Sequence, residues 1–168
     1  MTVVSVNTAT YAATHVATNM LRGLKNIVAG CGLDTTKLVG EWGVLERGIA
    51  TWVNSHHLEE LVLEVWDKKA PSDLIGRFDF TIDYGYYSAG DGDLWLDSDT
   101  VAWAIKKNGS YPSSCGYRVV AITADGAPAV TGWSSTTLRS TDGFRRHSVG
   151  TALGGGSMGA GLSYWKAT

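Results

Sequence analysis

Charge and cysteine are both scarce in this 168-residue chain, and each shortage closes off a class of function. Fourteen Lys and Arg stand against sixteen Asp and Glu, a formal net charge of −2, and the basic residues are scattered along the chain. That balance leaves no electrostatic footprint for nucleic acid or an anionic membrane, so neither is expected as a direct partner. Cys31 and Cys115 are the only cysteines, at no metal-like spacing, and read as two buried thiols in a reducing compartment. No basic leader and no long apolar run appear, so no signal peptide or membrane span is expected, and cytoplasmic residence follows by default.

Motifs that carry chemistry are equally scarce. The four histidines show no His-x-x-x-His spacing, and no Gly-x-Ser-x-Gly elbow or Cys-x-x-Cys occurs. Gly154-Gly155-Gly156 is followed by Ser157-Met158-Gly159 rather than the Gly-Lys-Ser/Thr that a phosphate loop needs. Asp91, Asp93, Asp97 and Asp99 crowd together, but Leu96 and Ala102 occupy the positions where a calcium loop places Gly and Glu, so turn chemistry and helix capping account for them. Asp79 and Asp83 share one face of a strand about 13 Å apart, too far to hold one ion unaided. A cross-strand pair such as Arg77 with Glu64 is the plainer reading. An enzyme is not expected, and no cofactor is implied. The alternative is a small metal- or nucleotide-binding enzyme using Asp79, Asp83, Asp91 and Asp93.

What is abundant is glycine and amphipathic aromatics, with 21 Gly, seven Trp and seven Tyr. Val3, Val4 and Val6 read as a short strand. A helix then runs from a cap at Asn7 or Thr8 to about Val28, with Ala9, Ala13, Val16, Met20, Leu24, Ile27 and Cys31 on one apolar face. Asp34 caps a second helix carrying Leu38, Trp42, Leu45, Ile49, Trp52 and Val53. Two helices joined by so short a turn pack antiparallel.

Beyond His56-His57 the period changes to two. Residues 61–66 read as a strand and residues 74–86 as its hairpin partner, with Phe78, Phe80 and Ile82 on the covered face and Arg77, Asp79, Thr81 and Asp83 on a polar one. A third helix starts near Asp97 and stops at Gly109. Tyr117 to Thr123, a turn at Asp125-Gly126 and Ala129 to Trp133 read as a second hairpin. This order, without βαβ repeats, predicts a single α+β domain with three helices on a small antiparallel sheet.

The end of the chain combines opposites. Residues 150–161 carry six glycines, and Leu162-Ser163-Tyr164-Trp165 follows with apolar side chains that need a surface. Backbone entropy makes such a stretch a poor core builder, so residues 139–168 read as a strap with a glycine hinge, able to dock in more than one way.

Several segments resemble the bacterial HORMA domains of antiphage signalling operons (CBASS), in the group called the first bacterial HORMA family. They are Asn19 to Lys25, Gly48 to Trp52, Arg77 to Tyr84, Gly132 to Ser135 and Leu138 to Thr141. The resemblance implies a HORMA-like fold with a core at 8–138 and a C-terminal safety belt at 139–168 that wraps a short closure-motif peptide added as a strand. It also implies a non-catalytic adaptor whose peptide-bound form binds and activates a cGAS/DncV-like nucleotidyltransferase. An AAA+ remodelling ATPase would open the domain by engaging a flexible segment at 1–7, with Thr2, Val3, Val4, Ser5 and Val6 as its handle. On this reading the peptide channel is expected at Trp103 and Lys107 of the third helix and at Phe144, His147, Val149, Leu162, Tyr164 and Trp165 of the belt.

Overall fold

The computed structural model describes residues 1–4, 8–85, 95–155 and 158–168, and for residues 8–12 the backbone alone. Residues 1–4 form no strand, and Val3 and Val4 are almost fully exposed. β-branched side chains fit a pleated, half-buried surface, and here no neighbouring edge supplies one. Val6 lies outside the described residues.

The long helix α1, Thr8–Gly30, follows its apolar stripe. Val16, Met20, Leu24, Ile27 and Cys31 are buried, and Leu21 and Val28 join them. The second expected helix is two, α2 (Thr36–Gly40) and α3 (Trp42–Asn54), broken at Glu41. The break keeps Leu38 against Tyr117, whose hydroxyl accepts from Leu38 N (3.2 Å) and donates to the Asp34 carbonyl (2.6 Å). Asp34 is not the cap expected of it: Thr35 holds the N-cap position, and Asp34, one residue earlier, accepts from the Thr36 amide and hydroxyl at 2.8 and 2.6 Å in a turn that leads into the helix.

Strands β1 (Leu58–Asp67) and β2 (Leu74–Asp83) form the expected hairpin, pairing Leu61 with Phe80 and Leu63 with Phe78. A two-residue strand β3, Trp95–Leu96, leads into α4, Ser98–Asn108. Asp97 caps α4 by accepting from Asp99 N (3.0 Å) and Thr100 N (3.1 Å), and Gly109 ends it at φ 84°. After β4 (Cys115–Thr123) an irregular stretch spans 124–143, and β5 (Phe144–Gly155) and β6 (Met158–Ala167) close the chain. Among the described residues these form one six-stranded antiparallel sheet in the order β3-β5-β6-β2-β1-β4.

Helices α1, α3 and α4 cover one face of the sheet, and the core lies between, around Phe78, Phe80, Leu153 and Leu162. The other face departs from expectation. Arg77, Asp79 and Glu64 sit on it but are buried, Asp79 and Glu64 completely. Arg77 and Glu64 are opposite in register, yet Arg77 turns to Asp79, with Nε to Oδ1 at 2.7 Å and NH2 to Oδ2 at 3.0 Å. Trp165 Nε1 also donates to Asp79 Oδ2 (2.9 Å), and Arg77 lies over the Trp165 ring. A bidentate partner two residues along its own strand wins over the cross-strand one because both carboxylate oxygens are met in one plane.

The glycines of the carboxy-terminal stretch lie in a paired hairpin. Gly150, Gly154 and Gly155 are in β5 and Gly159 and Gly161 in β6; Gly156 is outside the described residues. Gly150, at φ 140°, occupies the register shift after Ser148, a bulge where a side chain is strained. The apolar tip is core: Leu162 is fully buried, and Tyr164 is 9% exposed.

Candidate functional site

The expected second hairpin is absent. Asp125-Gly126 does turn, with Gly126 at φ 82°, but residues 129–133 do not pair with β4. Their anchoring groups go to α3 instead. Trp52 Nε1 donates to the Pro128 carbonyl (2.8 Å) and Trp133 Nε1 to the Val44 carbonyl (2.9 Å), and the two rings meet edge to face with centroids 4.9 Å apart. Gly48 and Gly132 make room: a Cβ on Gly48 would collide with the Trp133 indole, and one on Gly132, at φ 94°, with Val44.

The irregular stretch 124–143, called the strap from here on in place of residues 139–168, then crosses to the opposite face of the sheet. Arg118, on β4, donates from NH1 to Thr136 Oγ1 (2.8 Å) and from NH2 to the Thr137 carbonyl (2.6 Å), while its Nε holds Glu64 at 2.6 Å. Glu64 also accepts from Arg139 N (2.7 Å) and Arg139 NH1 (3.0 Å), and the Arg139 guanidinium stacks on Trp66 at 3.8 Å. One buried carboxylate therefore ties the edge strand and the far end of the strap together. The strap begins equally firmly, with Ala124 N bonded to the His57 carbonyl (2.8 Å).

Between this arch and β4 lies a cavity of about 840 Å³. Its walls are Trp52, residues 118–123 of β4, and residues 127–130 and 132–138 of the strap. Among the described residues no strand pairs with the outer edge of β4. Lys37 Nζ donates to the Tyr117 carbonyl (2.7 Å), which places that carbonyl on the outer edge. Alternation along a strand then turns the N–H and C=O of Val119 and Ala121 outward into the cavity. Val119, Ala121, Ile122, Val130 and Trp133 are only half-buried around it. An unpaired strand edge, walled by apolar side chains and arched over by a tethered strap, fits one more extended strand.

A family model described as bacterial HORMA domain 2 matches residues 1–168. The chain belongs to this bacterial HORMA family. The HORMA resemblance of the sequence thus holds, with the second bacterial family in place of the first. HORMA chains of known structure share the fold at low identity. C. elegans HTP-1 bound to HTP-3 motif-1 is 11% identical, with TM-score 0.67, covering 92% of this chain and 89% of that one. C. elegans HTP-2 bound to a HIM-3 closure motif is 15% identical, with TM-score 0.58 and coverage of 78% and 69%. A chain of the E. coli MS115-1 CdnC:HORMA-deltaN complex is 10% identical, with TM-score 0.60 and coverage of 93% and 87%. No curated protein matches.

In this HORMA domain the residues expected to line a peptide channel lie away from the cavity. Trp103, 51% exposed, and Lys107 are on α4, with the Lys107 ammonium 4.6 Å from the Trp103 ring centre. Phe144, His147 and Val149 are on β5 and Leu162, Tyr164 and Trp165 on β6; His147 stacks on Tyr164 at 4.9 Å. These six belong to the hairpin that pairs with β2, on the side of the sheet remote from β4. The sequence hides the cavity residues because Tyr117 to Thr123, Asp125-Gly126 and Ala129 to Trp133 read as a local hairpin, whereas the irregular course of 124–143 is set by contacts with α3.

The acidic alternative finds no support among the described residues, which hold no cluster of three potential metal ligands. Asp79 is enclosed by Arg77 and Trp165, and Asp83 Oδ1 accepts from Gly85 N (2.8 Å). Asp91 and Asp93 lie outside the described residues. The two cysteines are free and buried, as expected. Burial pushes the Cys31 thiol up to about 11, against a lowering contact from Asn108. Burial also raises Tyr84, to about 12, and its hydroxyl donates to the Leu58 carbonyl at 2.8 Å. No described helix is long and apolar enough to cross a membrane.

Proposed function

We propose that this HORMA domain is a non-catalytic adaptor that holds a closure-motif peptide as an added strand beside β4, beneath the strap at 124–143. The open edge of β4 inside the arched cavity carries this reading. Main-chain bonds to the edge supply affinity, and the cavity walls supply selectivity. The safety belt then comprises two parts. The irregular stretch from Ala124 to Gly143 closes over the peptide. The β5–β6 hairpin, with Phe144, His147, Val149, Leu162, Tyr164 and Trp165, anchors it on β2 and leaves the β4 edge vacant. Trp103 and Lys107 form a separate surface on α4.

The peptide-bound state binds and activates a cGAS/DncV-like nucleotidyltransferase in a cytoplasmic antiviral pathway, a reading supported by the likeness to the HORMA chain solved with CdnC. An AAA+ ATPase resets it by gripping the segment at 1–7, and the exposure of Val3 and Val4 suits such a handle. Unthreading a strap from around a bound strand requires local unfolding, which accounts for the need of an energy source.

Ala121→Pro tests the reading. Proline at an outward-facing edge position leaves the β1–β4 ladder intact and removes a donor that the added strand needs. Peptides selected on the native domain should lose at least about tenfold in affinity, more than 1.4 kcal/mol, while the thermal transition holds. Unchanged affinity refutes strand addition at β4. Activation is tested by following cyclic-nucleotide synthesis by the partner enzyme with the domain alone and with domain plus peptide. Synthesis that is independent of peptide refutes the adaptor role.

A further inference from the structure

The cavity walls offer no free counter-charge to a charged guest. Among the residues that line it Arg118 alone is ionisable, and each of its terminal groups is engaged, Nε by Glu64, NH1 by Thr136 and NH2 by Thr137. Trp52 and Trp133 spend their indole N–H groups on the Pro128 and Val44 carbonyls, so they present only ring surface. A charge buried here would lose water and gain no opposite charge in return.

The length of the free edge is set at both ends. Lys37 occupies the outward carbonyl of Tyr117 at 2.7 Å and closes the ladder on that side. On the other, Ala124 N turns back to His57, and the chain leaves the sheet. Between them six residues remain, Arg118 to Thr123, about 20 Å of extended chain.

Side chains on the guest must alternate as those of β4 do. Tyr117, Val119 and Ala121 pack toward the helices. Arg118, on the other parity, meets Glu64 on the opposite face, so Val120 and Ile122 share that side. Alternate guest residues therefore meet the Trp52–Trp133 pair with Val119 and Ala121. The intervening ones meet Val120, Ile122 and the hydroxyls of Thr136 and Thr137.

We propose that the guest is a charge-free extended segment of six residues, apolar at the alternate positions facing the two tryptophans and small or hydroxyl-bearing at those between. This specificity rests on the peptide-binding reading above. Its source is the combination of spent charges, inward-turned indoles and a capped six-residue edge.

The test is a yeast-displayed library of random hexapeptides in Gly-Ser flanks, sorted with the labelled full chain. Asp, Glu, Lys and Arg should fall about tenfold or more below their input frequency at the four central positions, with apolar residues recurring at every second one. A selected motif with a fixed central charge, or with no period of two, overturns the proposal. Titrating the selected peptides against Gly48→Ala, which unseats Trp133, separates the two levels. A charged motif that loses binding to this variant overturns the specificity and leaves strand addition standing. Failure to enrich any peptide, or equal binding to the variant, overturns both.

Discussion

One added methyl group at Gly48 should separate the strap from the rest of the domain. Gly48 is buried in the middle of α3, and an alanine Cβ there would collide with Nε1 and Cε2 of Trp133 and stand 2.9 Å from Cζ2. Helix α3 is held by Leu45 and Ile49 in the core, so the ring, carried on an irregular stretch, gives way. The displaced indole forfeits its bond to the Val44 carbonyl, about 1 kcal/mol, and its edge-to-face contact with Trp52, also about 1 kcal/mol. Part of its apolar burial goes too, about 1–2 kcal/mol. The strap thus loses roughly 3 kcal/mol of docking, equivalent to about a hundredfold in the affinity of a peptide held beneath it. Global stability responds differently. Once the strap has detached the domain bears no further cost, and alanine favours the helix over glycine by about 0.5–1 kcal/mol. Hydrogen exchange of the Trp133 amide, bonded to the Val130 carbonyl at 3.1 Å, should accelerate while α1 keeps its protection. Wild-type affinity together with wild-type exchange at 127–135 would refute the reasoning, as would loss of protection throughout α1.

Glu64→Gln leaves Arg118 and Arg139 facing a neutral amide. Both guanidiniums are partly exposed, so the expected loss is about 2–3 kcal/mol in denaturant unfolding, below that of a fully buried pair, with faster exchange at the Arg139 amide; less than about 0.5 kcal/mol would discount the tie. Asp97→Ala removes the α4 cap and should lower stability by about 1 kcal/mol in the same assay. The bonds from Thr100 and Asp99 hold the Asp97 carboxyl below the usual carboxylate range, so its contribution is present above that range and is lost as pH falls through the lowered value; the mutant and native proteins should converge in stability at strongly acid pH. Cys31, fully buried with its thiol raised to about 11, should resist alkylation at neutral pH until the domain is unfolded, and rapid labelling of the native protein would contradict its place in the core.

Elements with a local cause were legible in the sequence. Helix α1 carries an unbroken apolar stripe, α4 a capping aspartate and a stopping glycine, and the β1–β2 hairpin a clean alternation. What stayed hidden depends on residues far apart in the chain. The polar parity of β2 reads as solvent-facing, yet Arg77 and Asp79 are covered because Trp165 of β6 lies on them, and Glu64 is enclosed by Arg118 and Arg139. Turn residues at Asp125-Gly126 correctly announce a reversal, but they cannot report that Trp133 will find Val44 rather than β4. A paired cue does exist in the chain: Gly48 in the middle of a helix, unfavourable by propensity, marks a close approach, and Trp133 beside Gly132 is the bulky group that makes it. Composition points to a strap at 139–168 with its hinge in the glycines of 150–161, whereas the arch over the cavity is the quieter stretch before Arg139.

The sheet has two edges, and the way each is treated explains why the strap matters beyond any guest. At one end β3 covers only Leu153 and Gly154 of β5, and the rest of that edge carries Arg145 and Arg146, charges that discourage another strand. At the other, β4 offers six free residues, Arg118 to Thr123, with neither a charge row nor a proline along them. Such an edge invites pairing with a second copy, and the arch from Ala124 to Arg139 stands in the way. The same groups that fence the edge, Trp133 on α3 and Arg139 on Glu64, hold the cavity open beside it instead of letting the strap collapse into the ladder. A segment that paired with β4 directly would protect the edge and abolish the site. By bonding to α3 on one face and to β1 on the other, the strap excludes a broad edge-to-edge encounter and still admits a single strand threaded beneath it.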